Sequence, residues 1–340
     1  MTAAADDIAK PGRVTAASAA PVLSVDGLSV SLTIHRRLVP VVTDLSFEVG
    51  PGEAVALVGE SGCGKSITAR AIAGLPPARA SVSGSIRLEG QDLSALSARE
   101  RRGLGGRRIG FIFQEPMTSL HPTLSIGAQI TDTIRAHLGL SRAAARERAT
   151  ELLDRVGIPR RREALDAYVH ELSGGMRQRA MIAMAISCGP ILLIADEPTT
   201  ALDVTIQAQV LDLLADMRRD MGLAMLYITH DLDVVADFCD RAVILYSGDM
   251  IETGGAADCL KRPRHPYTRG LVDAIPSLEI KRARLTAIPG TVPPLGAWPS
   301  GCRFAPRCDR AAEICGQRPA FTRDGASAYR CWRPLPEARQ

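Results

Sequence analysis

Ala54-Val55-Ala56-Leu57-Val58, running into Gly59-Glu60-Ser61-Gly62-Cys63-Gly64-Lys65-Ser66, sets the fold class. Five small or branched apolar residues read as a short buried strand. The octet after them matches G-x-x-x-x-G-K-[ST], and an Ala-rich helical run continues to Ala73 before Gly74. A phosphate-binding loop requires this strand, loop and helix context. Its glycines let backbone N–H groups turn inward around phosphate, and the helix N-terminus adds the positive end of its dipole. Lys65 is expected to reach the β and γ phosphates of a nucleoside triphosphate, and the Ser66 hydroxyl to ligate Mg²⁺. All of Gly59, Glu60, Ser61, Gly62, Cys63, Gly64, Lys65 and Ser66 are therefore candidate nucleotide-site residues.

Working outward, the strand Ile191–Ala195 delivers Asp196 and Glu197 at its C-terminal end, where ligands bind in open α/β sheets. Asp196 is expected to hold Mg²⁺, directly or through water, and Glu197 to polarise an attacking water. Alone, such a carboxylate pair is often a helix cap; beside a phosphate loop it reads as a hydrolytic site. Gln114 follows the strand Ile109–Phe113, and His230 follows the strand Ala224–Thr229. A lone His after a strand is commonly structural, so its weight here comes from its place after Glu197 and a helix. Between these strands, Ser173 is a fitting helix N-cap, and Gly174 and Gly175 leave N–H groups open to an anion.

The string Leu172-Ser173-Gly174-Gly175-Met176-Arg177-Gln178 resembles the signature of the ATP-binding cassette (ABC) ATPases. The other pieces occur in the order that family demands. The resemblance implies that Gln114 is the Q-loop residue contacting Mg²⁺ and water, and that Thr200-Ala201-Leu202-Asp203 is the D-loop. It implies that His230 is the switch histidine bonding the γ-phosphate. It also implies that the signature loop of one subunit completes the phosphate site of another, so the chain pairs with itself or a paralogue and ATP joins two faces. The family usually stacks an aromatic ring on adenine, yet residues 22–44 hold no Phe, Tyr or Trp. Leu32 or His35 stands at that place, and the expectation is weak discrimination between ATP and GTP.

The fold class expected is α/β: an ABC-type phosphate-loop NTPase core with a mostly parallel sheet, an antiparallel β subdomain, a helical subdomain and a small Cys-rich C-terminal extension. Residues 1–20 are rich in Ala and small polar residues and read as a mobile tail without the features of a signal peptide. Residues 21–255 read as the ATPase domain, with the helical subdomain over about 115–170, and 256–340 as the extension. Within the helical part, Ser141 precedes Ala145, Ala149, Leu152, Leu153 and Val156, an apolar stripe at helical spacing that Gly157 ends.

Apolar residues make up 46% of the 340, enough for a sizeable core, and the net charge of +4 is too mild for a nucleic-acid binder. The uncharged, apolar stretch Ala180–Ala195 falls short of the ~18 apolar residues a spanning helix needs, and Gly189-Pro190 splits it. The basic clusters at 99–108 and 160–162 read as solvated loops or as neighbours of lipid headgroups.

Gln114-Glu115-Pro116-Met117-Thr118-Ser119-Leu120-His121-Pro122 resembles the dipeptide, oligopeptide and nickel importer ATPases. So do His265-Pro266-Tyr267-Thr268, Ala274-Ile275-Pro276 and the tail Cys302-Arg303-Phe304-Ala305-Pro306-Arg307-Cys308. That likeness implies a subunit driving peptide import, with a second ABC ATPase subunit, two transmembrane permease subunits and an extracytoplasmic substrate-binding protein as partners. Its place would be peripheral, on the cytoplasmic face of the inner membrane. Import of nickel or another small solute, or an ABC ATPase uncoupled from transport, are the alternatives. Four of the eight cysteines, Cys302, Cys308, Cys315 and Cys331, crowd into the tail with gaps of five, six and fifteen residues. No short C-x₂₋₄-C knuckle favours zinc. Four thiolates can hold a [4Fe–4S] cluster, and the resemblance points the same way; zinc and free thiols stay open.

Overall fold

The computed structural model describes residues 20–200, 202–275 and 287–336. The tail expected over residues 1–20 lies outside the described residues except for Ala20, and Ala201 and Pro276 also lie outside them. From the N-terminal side, β1 (Leu23–Ile34) and β2 (Arg37–Val49) form a hairpin, followed by β3 (Ala54–Val58), α1 (Lys65–Ile72), β4 (Ala80–Leu88) and β5 (Gln91–Asp92). α2 (Ala98–Leu104) leads to β6 (Ile109–Ile112), then to α3 (Pro116–Ser119), α4 (Ile126–Leu138), α5 (Arg142–Arg155) and α6 (Arg161–Asp166). α7 (Gly174–Ile186), β7 (Leu192–Asp196), α8 (Val204–Met221), β8 (Ala224–Thr229), α9 (Leu232–Phe238) and β9 (Arg241–Tyr246) alternate. β10 (Asp249–Gly255), α10 (Ala256–Lys261), α11 (Pro266–Asp273), β11 (Thr322–Asp324) and β12 (Ser327–Tyr329) follow.

Two sheets result. The smaller is antiparallel, in the order β2–β1–β4–β5; the larger runs β11–β12–β10–β9–β3–β8–β7–β6. In the larger sheet β9, β3, β8, β7 and β6 are mutually parallel, as a strand–helix alternation dictates. Every residue of β3, β7 and β8 is buried, because α7, α8 and α9 pack on one face and α1 with the antiparallel sheet on the other. Each fully buried Val, Leu or Ile there contributes about 1.5–3 kcal/mol.

The β1–β2 hairpin closes between Ile34 and Arg37 through His35 and Arg36, at φ 46° and 62°. That left-handed pair is the two-residue turn whose twist matches the strands. His35 is exposed at this tip, and Leu32 pairs with Val39 on the strand behind it.

The helical part follows its sequence pattern. Ser141 caps α5 by accepting from Ala144 N–H, and Ala145, Ala149, Leu152 and Leu153 are buried in one cluster with Ile126, Ile130 and Ile134 of α4. Val156 is buried at the helix end, and Gly157 takes φ 70°, which stops the helix.

The tail is less separate than its composition suggests. β12 pairs with β10, Glu252 opposite Tyr329, so the last strands widen the central sheet. Phe304 is buried with Tyr246 and Tyr267, its ring centroid 5.2 Å and 5.4 Å from theirs. A segment with little apolar content of its own is thus anchored in the ATPase core.

Candidate functional site

The parallel register explains why residues far apart in sequence meet. Val58 pairs with Thr229, Asp196 with Ile228, and Ile112 with Ala195, so β3, β8, β7 and β6 end at one level. The phosphate loop, His230, the Asp196–Glu197 pair and Gln114 each follow one of those ends, along a single sheet edge.

In the loop, Gly59 and Gly64 have no substitute. At φ 156°, a Cβ on Gly59 would stand 2.2 Å from the Leu245 carbonyl oxygen and 2.7 Å from Cys63 Sγ. At φ 105°, one on Gly64 would lie 2.9 Å from Val42 Cγ2. The Lys65 ammonium is buried and donates to the carbonyls of Gly59 (2.7 Å) and Glu60 (3.1 Å), over the centre of the loop. Cys63 is buried beneath it, and burial pushes its thiol up.

Ser66 Oγ donates to Asp196 Oδ1 at 2.9 Å. Burial raises the Asp196 carboxyl above its usual range, against the Ser66 hydrogen bond. A hydroxyl and a carboxylate at the helix tip form the hard oxygen donor set that suits Mg²⁺ when phosphate supplies further oxygens.

Glu197 sits at φ 47°, a left-handed conformation costing a non-glycine residue of order 1–3 kcal/mol. Three neighbours hold its carboxylate: Gln114 Nε2 donates to Oε2 at 2.8 Å, Thr200 Oγ1 donates to Oε2 at 3.1 Å, and His230 Nδ1 lies 3.3 Å from Oε1. Gln114, Glu197 and His230, expected together from sequence order, thus form one cluster, and Thr200 joins it.

Ser173, Gly174 and Gly175 stand elsewhere. Ser173 Oγ accepts from Met176 N–H and caps α7, while Gly175 packs on Ile206 of α8. Among the described residues no hydrogen bond or ion pair links them to the phosphate loop. Asp203 caps α8 by accepting from Ile206 N–H at 3.0 Å.

Sequence reading missed the second layer of the loop. Tyr267 Oη accepts from Glu60 N–H at 2.9 Å, and Arg307 grips the Glu60 carboxylate. The indole of Trp298 also reaches this area: its Cη2 is 2.9 Å from where a Gly248 Cβ would stand, and Gly248 borders Gly64. The only hint in the sequence was that Tyr267 and Arg307 fall in the strings carrying the importer resemblance.

The four tail cysteines are the remaining candidate site. None of them is in a disulfide, and among the described residues no group of three or more His, Cys, Asp or Glu is arranged to hold a metal ion. Yet Cys302, Cys308, Cys315 and Cys331 line one small enclosed pocket, together with His265 and Phe304. Burial pushes the Cys302 and Cys308 thiols up and raises Cys331 to about 11. Buried His265 accepts from Tyr267 N–H through Nδ1, while its Nε2 has no partner. Converging thiols and an unpartnered ring nitrogen are soft donors of the kind that iron or zinc takes.

With this geometry in place, the chain is an ABC-type ATPase. The ABC transporter family model matches residues 42–200, and the model described as oligopeptide/dipeptide transporter, C-terminal region, matches residues 251–315. The chain belongs to the family of ABC transporter ATP-binding subunits that carry this C-terminal region. It is 47% identical over 315 residues to the dipeptide transport ATP-binding protein DppD of Bacillus subtilis, covering 92% of this chain and 94% of that one. It is 50% identical over 308 residues to a Brucella melitensis protein named for peptide import and ATP binding, covering 87% and 91%. Among solved structures, the MJ0796 ABC transporter cassette superposes with a TM-score of 0.62 at 24% identity, over 69% of this chain and 98% of that one. That likeness concerns the fold.

Proposed function

We propose that this chain is the ATP-hydrolysing subunit of an ABC importer for peptides, coupled to membrane channel subunits formed by other chains. One observation carries the hydrolytic part: the Glu197 carboxylate is held by Gln114, Thr200 and His230 at the sheet edge that bears Lys65 and Ser66. The names of the relatives and the C-terminal region support peptide as cargo over nickel or an uncoupled ATPase.

The residues divide the work. Loop N–H groups and Lys65 bind the β and γ phosphates, and Ser66, Asp196 and Gln114 would hold Mg²⁺, which neutralises phosphate charge when bound. Glu197 orients a water in line with the γ-phosphorus and accepts its hydrogen bond; the water oxygen bonds to phosphorus as the bond to the β-phosphate oxygen breaks, leaving ADP and phosphate. His230 steadies Glu197 and reaches toward the γ-phosphate. Ser173, Gly174, Gly175 and Asp203 serve the site of a second ATPase subunit, since Ser173–Gly175 form an anion-ready helix tip spent on no phosphate loop of this chain.

The division into an ATPase unit over 21–255, helical subdomain included, and an extension from 256 onward belongs to the same reading. So does a peripheral position on the cytoplasmic face of the inner membrane with two permease subunits and an extracytoplasmic binding protein. Among the described residues no helix is long and apolar enough to cross a membrane. The four cysteines are proposed to hold a [4Fe–4S] cluster that staples the extension; the convergence of their thiols on one pocket supports this. Anaerobically purified protein should then carry about four iron and four sulfide per chain, and colourless, iron-free protein overturns it.

For the main reading, the chain is assembled with its ATPase mate and candidate permeases in vesicles. MgATP hydrolysis should rise when peptide-loaded binding protein is added. An assembly that hydrolyses ATP at one rate with or without loaded binding protein would sink the transport part.

A further inference from the structure

Glu60 poses an electrostatic problem. It is the second residue of the phosphate loop, and its carbonyl helps hold the Lys65 ammonium. A free carboxylate here would cancel the charge of Lys65 and repel a triphosphate. Asp196 and Glu197, at the end of β7 on the far side of β8, add further negative charge.

Arg307 answers it from 247 residues away in sequence. It ends a single helical turn, Ala305–Arg307, in the extension. Its Nη1 donates to Glu60 Oε2 at 2.7 Å and its Nη2 to Oε1 at 3.1 Å, a two-pronged pairing that fixes the carboxylate's direction. Nε donates to the Pro289 carbonyl at 2.8 Å, and further contacts reach the Ile288 carbonyl and Tyr246 Oη, both at 3.4 Å. The guanidinium side chain is 4% exposed and that of Glu60 28%, so salt screens the pair poorly. Burying an arginine is costly, and an apolar contact of similar size would hold the extension at least as well. The charge itself therefore has a use. Counted together, Glu60, Lys65 and Arg307 carry +1; without Arg307 the sum is zero.

We propose that Arg307 is a positioning residue for the nucleotide site: it turns the Glu60 carboxylate away from the phosphates and cancels its charge, so the loop meets the triphosphate with a net positive face. Arg307 acts through Glu60 and does not itself touch nucleotide. The inference rests on the ATP-site reading above.

The test is MgATP titration of the full-length chain by calorimetry, with melting curves in parallel. R307Q, which keeps polar reach but loses the cation, should weaken binding about tenfold or more; R307K should stay within about threefold of the unsubstituted protein. E60Q should bind as tightly as the unsubstituted protein or tighter, though melting lower. E60Q/R307Q should recover to within about threefold, because no unpaired anion is left. In the assembled ATPase, R307Q should raise KM and shift kcat by less than about twofold. If Arg307 merely staples the extension, E60Q weakens binding as R307Q does and the double variant shows no recovery; either result overturns the proposal. Should R307Q fail to fold, E60Q alone decides, since loss of affinity there contradicts charge cancellation. K65A separates the two levels. If K65A loses affinity while the Glu60 and Arg307 variants stay flat, only this inference fails; if K65A binds normally, the site assignment fails.

Discussion

The parallel half of the central sheet and the C-terminal extension are held together by different forces. β3, β7 and β8 are buried along their whole length, and their cohesion is the non-directional removal of apolar surface from water. In the extension, β11 and β12 have three residues each. There arginines lie over rings: Arg303 is 3.7 Å from the Trp298 centroid, Arg330 4.4 Å from Phe321, and Arg264 5.0 Å from Tyr329. Arg303 and Arg318 also converge on buried Asp249 in the ATPase part. The first region makes a rigid edge on which catalytic groups can be set. The second uses directional contacts that reach back to Glu60 beside that edge.

If the sheet edge is the catalytic half, the largest effect belongs to Glu197. E197Q should retain MgATP binding while turnover falls by roughly a hundredfold to ten-thousandfold, the usual range for a positioned base. Single-turnover hydrolysis beside equilibrium binding measures both, and normal turnover would remove Glu197 from its role. If the extension shares the main core, F304A should destabilise the whole chain by about 3–5 kcal/mol in one cooperative transition. A separate early melt of the extension, with the ATPase part unchanged in calorimetry, would show two independent units. D249N tests the directional contacts. With Arg303 left facing no anion and Arg318 only Asp44 at 4.0 Å, a loss of about 3 kcal/mol is expected in guanidinium unfolding, and a loss under about 0.5 kcal/mol would mean these pairs behave as exposed ones. The smallest effect is local: S141A removes the cap of α5 and should cost about 1 kcal/mol by the same measurement, with ATP affinity unchanged.

What could be read in advance divides along the same line. Strand β3, the loop after it and the stripe of α5 were legible because periodicity and capping act over a few residues. Asp196, Glu197, Gln114 and His230 were legible because parallel strands bring their C-terminal ends to one edge, so chain order translates into place. The expected cluster geometry in the tail was less so. Spacing showed four cysteines near one another in sequence, and only the fold shows them lining a common pocket with no three set around a single ion.

The amino-acid sequence by itself determined the α/β class, the phosphate-loop motif and the chain order of Gln114, Asp196, Glu197 and His230, since each follows from local pattern plus the register of a parallel sheet. Tertiary structure alone decided that Tyr267 and Arg307 support Glu60, across 207 and 247 residues, and that β12 extends the sheet beside β10. Such contacts leave no periodic trace. Each is a single directional pairing whose partner becomes available only after long loops have closed, so it is specified by the whole packed chain and by no segment of it.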